Sequence, residues 1–179
     1  MKRTLVWAAR QWPGMEHTHF EASDEGVTAD GVIIAIVDEQ PVRLRYRLEC
    51  DPSWRPVFIG VEPSGGPEIS LRRSGRRWHD GDGRERLDLA GCLDVDIALT
   101  PLTNTIPIRR LTLDVGESED IDVVYLDPSP SGEVRPQRQR YTRTNDGYRY
   151  ASGSFQADLL VDADGIVVDY PGLWTLVSR

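Results

Sequence analysis

Glycine and proline recur so regularly along this chain that they limit what it can fold into. The sequence contains 16 glycines and 12 prolines, and no long stretch is free of both. Proline removes a backbone hydrogen-bond donor and glycine weakens a helix, so this spacing disfavours long helices. No window of about 11 residues carries the apolar i, i+3, i+4, i+7 stripe of an amphipathic helix. The sequence therefore predicts short elements joined by turns.

Short segments of alternating apolar and polar residues fill the space between these breakers. Asp-Gly pairs, including Asp30-Gly31, Asp146-Gly147 and Asp164-Gly165, are predicted to supply the positive φ angles of hairpin turns. Many short strands joined by tight turns favour an all-β fold, an antiparallel sheet curved into an incomplete or closed β-barrel that limits exposed edges. The 179 residues suit a single domain spanning residues 1–179.

Residues 93–99 are predicted as a strand in which every second residue is apolar. The alternation puts Asp94 and Asp96 together on the opposite, outer face, because side chains two residues apart share a face of a strand. Two such carboxylates have two interpretations. They are either acid/base groups of the type used in glycoside hydrolysis or solvated surface residues.

Residues 100–107 break the alternation with two prolines, three threonines and an asparagine, so they cannot form a central strand. We predict an ordered loop or a single helical turn here, followed by a strand over residues 109–114. Strand parity then points one of Arg109 and Arg110 inward. A buried guanidinium must be paired, and its partner is either a neighbouring aspartate in a core salt bridge or an anionic ligand headgroup.

Charge and targeting signals exclude several classes of protein. The net charge of -8, from 21 basic and 29 acidic residues, argues against binding a phosphate backbone, so no nucleic-acid partner is predicted. There is no apolar tract of about 20 residues to span a bilayer. Residues 1–10 allow only five apolar residues before Arg10, too few for a secretory signal. We therefore interpret them as the first strand and expect a cytoplasmic protein.

Signatures of catalysis and metal binding are weak. No GxSxG elbow occurs, and Cys50 and Cys92 lack a CxxC partner, which predicts buried thiols in a reducing compartment. His17 and His19 share a strand face and could ligate a metal together with His79, but exposed polar positions are the favoured interpretation. No cofactor, no metal and no catalytic residue is predicted.

Two adjacent segments carry a family resemblance. Residues 87–96 read LDLAGCLDVD and residues 100–111 read TPLTNTIPIRRL. This run resembles a bacterial glycolipid-binding family, formerly a domain of unknown function, and the resemblance covers nearly the whole chain. It implies a curved antiparallel sheet similar to that of bacterial lipoprotein carriers, wrapped around a hydrophobic cavity. It also implies an amphipathic ligand such as a glycolipid.

The leading hypothesis is a binding protein without catalysis that holds the acyl part of an amphipathic small molecule or glycolipid in the concavity of the sheet. One alternative is a glycan or lipid hydrolase or isomerase that uses Asp94 or Asp96 as acid/base. Another is a protein-interaction module or homo-oligomer with an exposed apolar patch or edge strand. Aromatic rings and charged groups that suit a headgroup give the predicted ligand-binding residues: Trp78, Asp94, Asp96, Asn104, Arg109, Arg110, Tyr125, Arg140, Tyr141 and Tyr170.

Overall fold

The computed structural model describes residues 1–128 and 133–178, and most of them belong to one large sheet. The prediction of an all-β, mainly antiparallel fold is confirmed. The fourteen strands are β1 (Lys2–Ala9), β2 (Gly14–Ser23), β3 (Gly26–Val37), β4 (Gln40–Cys50), β5 (Pro56–Pro63), β6 (Ile69–Ser74), β7 (Arg77–Asp80), β8 (Asp94–Ile97), β9 (Ser118–Leu126), β10 (Val134–Arg143), β11 (Gly147–Ser152), β12 (Phe155–Val161), β13 (Val167–Tyr170) and β14 (Trp174–Ser178).

The strands follow the order β7-β6-β5-β4-β3-β2-β1-β14-β13-β12-β11-β10-β9-β8. Neighbours in this order are antiparallel except β8, which runs parallel to β9. The sheet is not closed, because β7 and β8 at its two ends are not paired with each other. Of the two predicted forms, the closed barrel is therefore wrong and the open curved sheet is right.

The segment between β7 and β8 connects the two open ends of the sheet. It contains a 3-10 helical turn (Leu87–Leu89). The indole Nε1 of Trp78, in β7, donates to the carbonyl of Cys92 at 3.0 Å. The Nη2 of Arg86 donates to the carbonyl of Val134, in β10, at 3.0 Å. Side chains and loop backbone thus span the gap that strand pairing leaves.

A helix, α1 (Leu102–Leu111), packs against β8 and β13 and contributes to the hydrophobic core, with seven of its ten residues buried. It corrects two predictions, since residues 100–107 are neither a loop nor a single turn and residues 109–114 are not a strand. An internal proline costs roughly 3 kcal/mol in a helix, and Pro107 made the helix hard to anticipate. Burial on nearly all sides offsets that cost and leaves no amphipathic stripe to detect.

The alternation within strands separates a buried inner face from an exposed outer face. In β4, Leu44, Tyr46 and Leu48 are buried while the arginines between them are exposed. β1 forms as predicted from residues 1–10 and buries Leu5 and Trp7 completely. With α1 packed against it, the inner face forms a continuous hydrophobic core. The concavity is therefore filled by the chain itself in this region.

Both cysteines are free and buried, as predicted. Burial raises the pKa of the Cys92 thiol to about 11 and raises that of Cys50 as well. Because the thiolate is the reactive form, we expect both to react with a disulfide reagent on the order of 100-fold more slowly in the native protein than in urea. Timed thiol titration in native buffer and in urea measures this difference. Rapid labelling of the native protein would contradict the burial of these thiols.

Within residues 1–128 and 133–178, no helix is both long enough and apolar enough to cross a bilayer.

Candidate functional site

A cleft of about 290 Å³ opens at one end of the concave side, where β8 leads into α1. Five aromatic side chains form most of its apolar lining, and we call it the aromatic cleft. Those aromatic residues are Tyr125, Tyr150, Phe155, Tyr170 and Trp174. The polar side chains that line it are Asp96, Thr100, Asn104, Gln137 and Ser152.

Sheet topology brings these distant residues together. Antiparallel order places the end of β11, the start of β12 and the end of β13 at the same end of the sheet. These positions carry Ser152, Phe155 and Tyr170. The parallel pairing of β8 with β9 then sets Asp96 directly beside Tyr125. The cleft is thus assembled from strand ends that are far apart in sequence.

Three of the aromatic rings contact one another in a continuous wall. The ring centroids of Tyr150 and Phe155 are 6.1 Å apart, and Tyr170 lies 6.3 Å from each of them. Burial, and secondarily the charge of Asp96, raises the pKa of the Tyr150 and Tyr170 hydroxyls. These hydroxyls therefore stay neutral and can donate hydrogen bonds over the physiological range.

Behind this wall lies Tyr141, which is almost completely buried. Its hydroxyl accepts a hydrogen bond of 2.8 Å from Asn104 Nδ2, and its ring centroid is 5.4 Å from that of Tyr150. Asn104 belongs to the first turn of α1. Tyr141 thus supports two residues of the aromatic cleft without lining it.

Asp96 supplies the carboxylate of the cleft. One oxygen accepts from Thr103 Oγ1 at 3.1 Å and the other from Gln139 Nε2 at 2.7 Å. Burial raises the pKa of Asp96, and these two hydrogen bonds oppose that rise. Both partners are neutral. Among the described residues, no lysine, arginine or histidine lies within ion-pair distance of this carboxylate.

Asp94 lies on the same face of β8 but in a different environment. It is fully buried, and it accepts from Arg110 Nε at 2.9 Å and from Nη2 at 2.6 Å. Burial raises the pKa of Asp94, and the guanidinium opposes the rise. The predicted outer position of Asp94 and Asp96 is wrong, because α1 packs over that face and bonds to both carboxylates.

Comparison with known proteins agrees with the resemblance seen in the sequence. The family described as "Putative glycolipid-binding" matches residues 4–175. The chain belongs to this family. A crystal structure of a DUF1089 family protein from Pseudomonas aeruginosa is 38% identical and superposes with a TM-score of 0.78. That similarity covers 89% of this chain and 91% of the other. Among curated proteins, no significant match was found.

In this member of the family, four of the ten predicted ligand-binding residues line the aromatic cleft, and Tyr141 lies directly behind it. The four are Asp96, Asn104, Tyr125 and Tyr170. They belong to β8, α1, β9 and β13, respectively. Their convergence depends on the fold rather than on any spacing along the chain.

The other five predicted residues lie elsewhere. Trp78 belongs to the core, and Asp94 and Arg110 form the buried ion pair. Arg109 is exposed, with its guanidinium carbon 5.0 Å from the centre of the Trp54 ring. The exposed Arg140 donates two hydrogen bonds, of 2.7 and 2.6 Å, to Asp120. We base the proposed site on the residues that line the cleft.

A buried glutamate that sequence reasoning missed supports the cleft from the core. Glu16 has no exposed surface, and its Oε1 accepts from Tyr46, Thr18 and Thr100 at 2.5, 2.8 and 2.8 Å. Its Oε2 has no hydrogen-bond partner among the described residues. Burial raises the pKa of Glu16 to about 7. The signal was present, since strand parity places Glu16 on the same face as the buried Phe20.

Gly31 makes room for this network and corrects the turn predicted at Asp30-Gly31. Both residues lie in the middle of β3, where Gly31 pairs with Thr18 on one side and Tyr46 on the other. A Cβ atom at Gly31 would lie 2.1 Å from the Tyr46 ring. The absent side chain lets Tyr46 cross over β3 and reach Glu16 in β2.

The alternative of a three-histidine metal site is not supported by the geometry. His17 and His19 lie side by side on β2, with ring centroids 4.7 Å apart. His79 lies on β7, which four strands separate from β2 in the sheet. Across the described parts of the chain, no three metal-ligating side chains come together.

Proposed function

We propose that this protein binds the glycan headgroup of a glycolipid in the aromatic cleft and does not catalyse a reaction there. One observation carries the proposal: five aromatic and five polar side chains converge on a single cleft of about 290 Å³. That volume is roughly enough for one or two sugar rings and lies near the lower limit of small-molecule pockets. Membership of a family named for glycolipid binding supports the same ligand class.

The lining suits the two kinds of surface that a sugar presents. The C–H faces of a sugar ring are apolar and pack against aromatic rings such as Phe155 and Tyr170. Its hydroxyl groups need donors and acceptors at fixed positions, and the amides of Asn104 and Gln137 offer both. A few polar groups set into an apolar pocket are typical of sites that fix the orientation of a ligand.

The lipid part of the ligand is assigned a different position from the one expected from the sequence. Since α1 and the inner side chains pack the concavity, we place the acyl chain at the mouth of the cleft rather than deep in the sheet. Phe155 and Leu173 lie there, and Phe155 is 44% exposed. An acyl chain that crosses these side chains would bury part of their apolar surface.

The hydrolase alternative has less support from this geometry. Glycoside hydrolysis of the usual kind uses two carboxyl groups that flank the scissile bond. Among the described residues that line the cleft, Asp96 is the single carboxylate, and Asp94 is bound to Arg110. Homo-oligomerisation and a cytoplasmic location stay predictions.

Saturation-transfer NMR with a set of octyl glycosides tests the proposed function. The set contains neutral, amino and acidic sugars, each below its micelle concentration. We expect the strongest transfer to the ring protons of at least one sugar, because the headgroup enters the cleft and the alkyl chain stays at its mouth. Transfer only to the alkyl protons, or to none of the ligands, would overturn the proposal.

Replacing Phe155 by alanine removes one of the three rings of the aromatic wall, and because Phe155 is exposed the hydrophobic core stays intact. We expect the affinity for the bound octyl glycoside to fall about tenfold, which corresponds to about 1.4 kcal/mol. Titration calorimetry measures the change. The control is Phe58→Ala, which removes a half-buried ring on β5 that contacts Arg72 of β6, outside the cleft. Equal losses in both variants would indicate a general effect on folding.

A further inference from the structure

We infer that the aromatic cleft selects a headgroup with a positive charge, an amino sugar in its protonated form, and that Asp96 determines this specificity. The inference rests on the proposed function and names the ligand class of the same site. It is carried by the charge balance of the cleft and by the arrangement of the rings around Asp96.

The side chains that line the cleft carry a negative charge and no positive charge. Among the described residues that line it, Asp96 is the only charged side chain. Many other carboxylates of this arginine-rich sheet have an arginine partner, as Asp94 has Arg110 and Asp158 has Arg149. Asp96 instead receives hydrogen bonds from an amide and a hydroxyl. In its ionised form Asp96 is therefore hydrogen-bonded but not neutralised by the protein.

A carboxylate in this position is costly unless a cation joins it. Removing an ionised group from water costs free energy, and hydrogen bonds from neutral groups offset that cost only in part. An ammonium group in the cleft would supply the missing counter-charge and form a charge-assisted hydrogen bond with Asp96. A phosphate, sulfate or carboxylate headgroup would instead be repelled, because like charges repel strongly in a partly dehydrated site.

The aromatic lining adds to the same preference. A ring face carries negative electrostatic potential and attracts a cation within about 6 Å of its centre. Burial, and secondarily the charge of Asp96, raises the pKa of the Tyr125, Tyr150 and Tyr170 hydroxyls, and all four side chains line the cleft. The carboxylate and these rings therefore act on the same small volume. Aromatic rings combined with a carboxylate form the type of pocket that binds ammonium groups.

One arginine lies near this region without neutralising it. The guanidinium carbon of Arg135 is 4.5 Å from the centre of the Tyr125 ring. Arg135 forms its ion pair with Glu133, at 3.2 Å, and it is not part of the cleft lining. Its stacking on Tyr125 shows that this ring accepts a cation on its face, and its charge is balanced by Glu133 rather than by Asp96.

Titration calorimetry with three methyl glycosides tests the inference directly. Methyl glucosaminide, methyl glucoside and methyl glucuronide differ mainly in charge, and a pH of about 6.5 keeps the amine protonated and the uronate ionised. We expect the glucosaminide to bind at least about tenfold more tightly than the neutral glucoside, and the glucuronide more weakly than both. This comparison uses the natural protein and needs no variant to fold.

The Asp96→Asn variant then assigns the preference to one residue. We expect it to bring the glucosaminide and the glucoside to within about threefold of each other, because asparagine keeps the shape and loses the charge. Asp158→Asn, at an exposed carboxylate on β12, should keep the ranking of the natural protein. If Asp96→Asn retained the tenfold preference, Asp96 would not be the selecting residue.

The outcomes separate this inference from the proposed function. Equal binding of the glucosaminide and glucoside, or tighter binding of the glucuronide, overturns the inference and leaves glycan binding in place. Binding of tetramethylammonium that depends on Asp96, with no binding of any sugar, supports the cation site and overturns glycan binding. The absence of binding by all four probes overturns both.

Discussion

Replacing Glu16 by glutamine is expected to remove a large part of the pH dependence of the protein's stability near neutrality. The pKa of Glu16 rises from 4.5 to about 7 on folding, because the carboxyl group is buried beside Tyr46, Thr18 and Thr100. The folded state therefore holds a proton that the unfolded chain has already released between these two values. In that interval the free energy of unfolding decreases as the pH rises, and the loss is complete about one unit above the folded-state pKa.

The change in the free energy of unfolding follows from the size of the pKa shift of Glu16. A difference of about two to three pKa units corresponds to about 3 kcal/mol between the two protonation states. Glutamine cannot ionise, so the Glu16→Gln variant should gain about 2 to 3 kcal/mol relative to the natural protein between about pH 5 and pH 8. Urea unfolding of the variant and of the natural protein, each at about pH 5 and at about pH 8, measures this gain in stability.

A matched control separates burial from charge. Glu62 is an exposed glutamate on β5, and Glu62→Gln should leave the dependence of stability on pH as it is in the natural protein. A constant difference in stability between Glu16→Gln and the natural protein from about pH 5 to pH 8 would show that Glu16 keeps an ordinary pKa in the fold. That result would exclude a proton held in the Glu16 network.

The Glu16 network also reaches the aromatic cleft. Thr100 lines the cleft, donates to Glu16 Oε1, and accepts a hydrogen bond of 3.0 Å from the backbone N–H of Leu102. Leu102 is the first residue of α1. Any change at Glu16 therefore acts on the start of the helix that carries Asn104 into the cleft.

Replacing Asp94 by alanine is expected to destabilise the fold by about 3 to 5 kcal/mol, the usual cost of leaving one partner of a buried ion pair alone. Asp94 is fully buried, and the Arg110 side chain is 15% exposed. The pair joins β8 to the last turn of α1, so its loss also loosens the helix against the sheet. Urea or thermal unfolding measures the loss.

The double variant Asp94→Leu with Arg110→Leu tests whether the loss comes from the unpaired charge. Replacing both partners by apolar side chains is often neutral or even stabilising, so we expect the double variant to be clearly more stable than Asp94→Ala. Asp158→Asn breaks an exposed pair with Arg149 and should have little effect on stability. If Asp94→Ala were as stable as Asp158→Asn, the ion pair would not hold α1 in place.

Much of the fold could be predicted from local sequence because strands and turns are local features. The alternation that predicted β1 and β12 depends only on side chains two residues apart pointing to the same face. The same reasoning failed at Asp30-Gly31. This pair was predicted as a hairpin turn, but both residues lie within β3. There the glycine accommodates the ring of Tyr46, a residue of the neighbouring strand that no local pattern identifies.

The candidate site was predictable only in part. The aromatic and polar residue types that suit a headgroup predicted Asp96, Asn104, Tyr125 and Tyr170, which line the cleft. Asp94 was grouped with Asp96 because the two share a strand face. Their environments differ because Arg110 forms an ion pair with Asp94 only. Arg110 lies in α1, whereas the sequence pattern predicted a strand there.

The sequence by itself determined the class of fold, the family and the burial of the two cysteines, because these follow from alternation, motif identity and the apolar character of a thiol. Only the tertiary structure decided that α1 packs against the sheet and that the candidate site is a cleft at the end of β8. It also decided that Glu16 lies in the core with a raised pKa while Asp96 faces the cleft without a counter-charge. Each depends on which side chains from distant strands surround a group, and on the water that they exclude, which no short stretch of sequence contains.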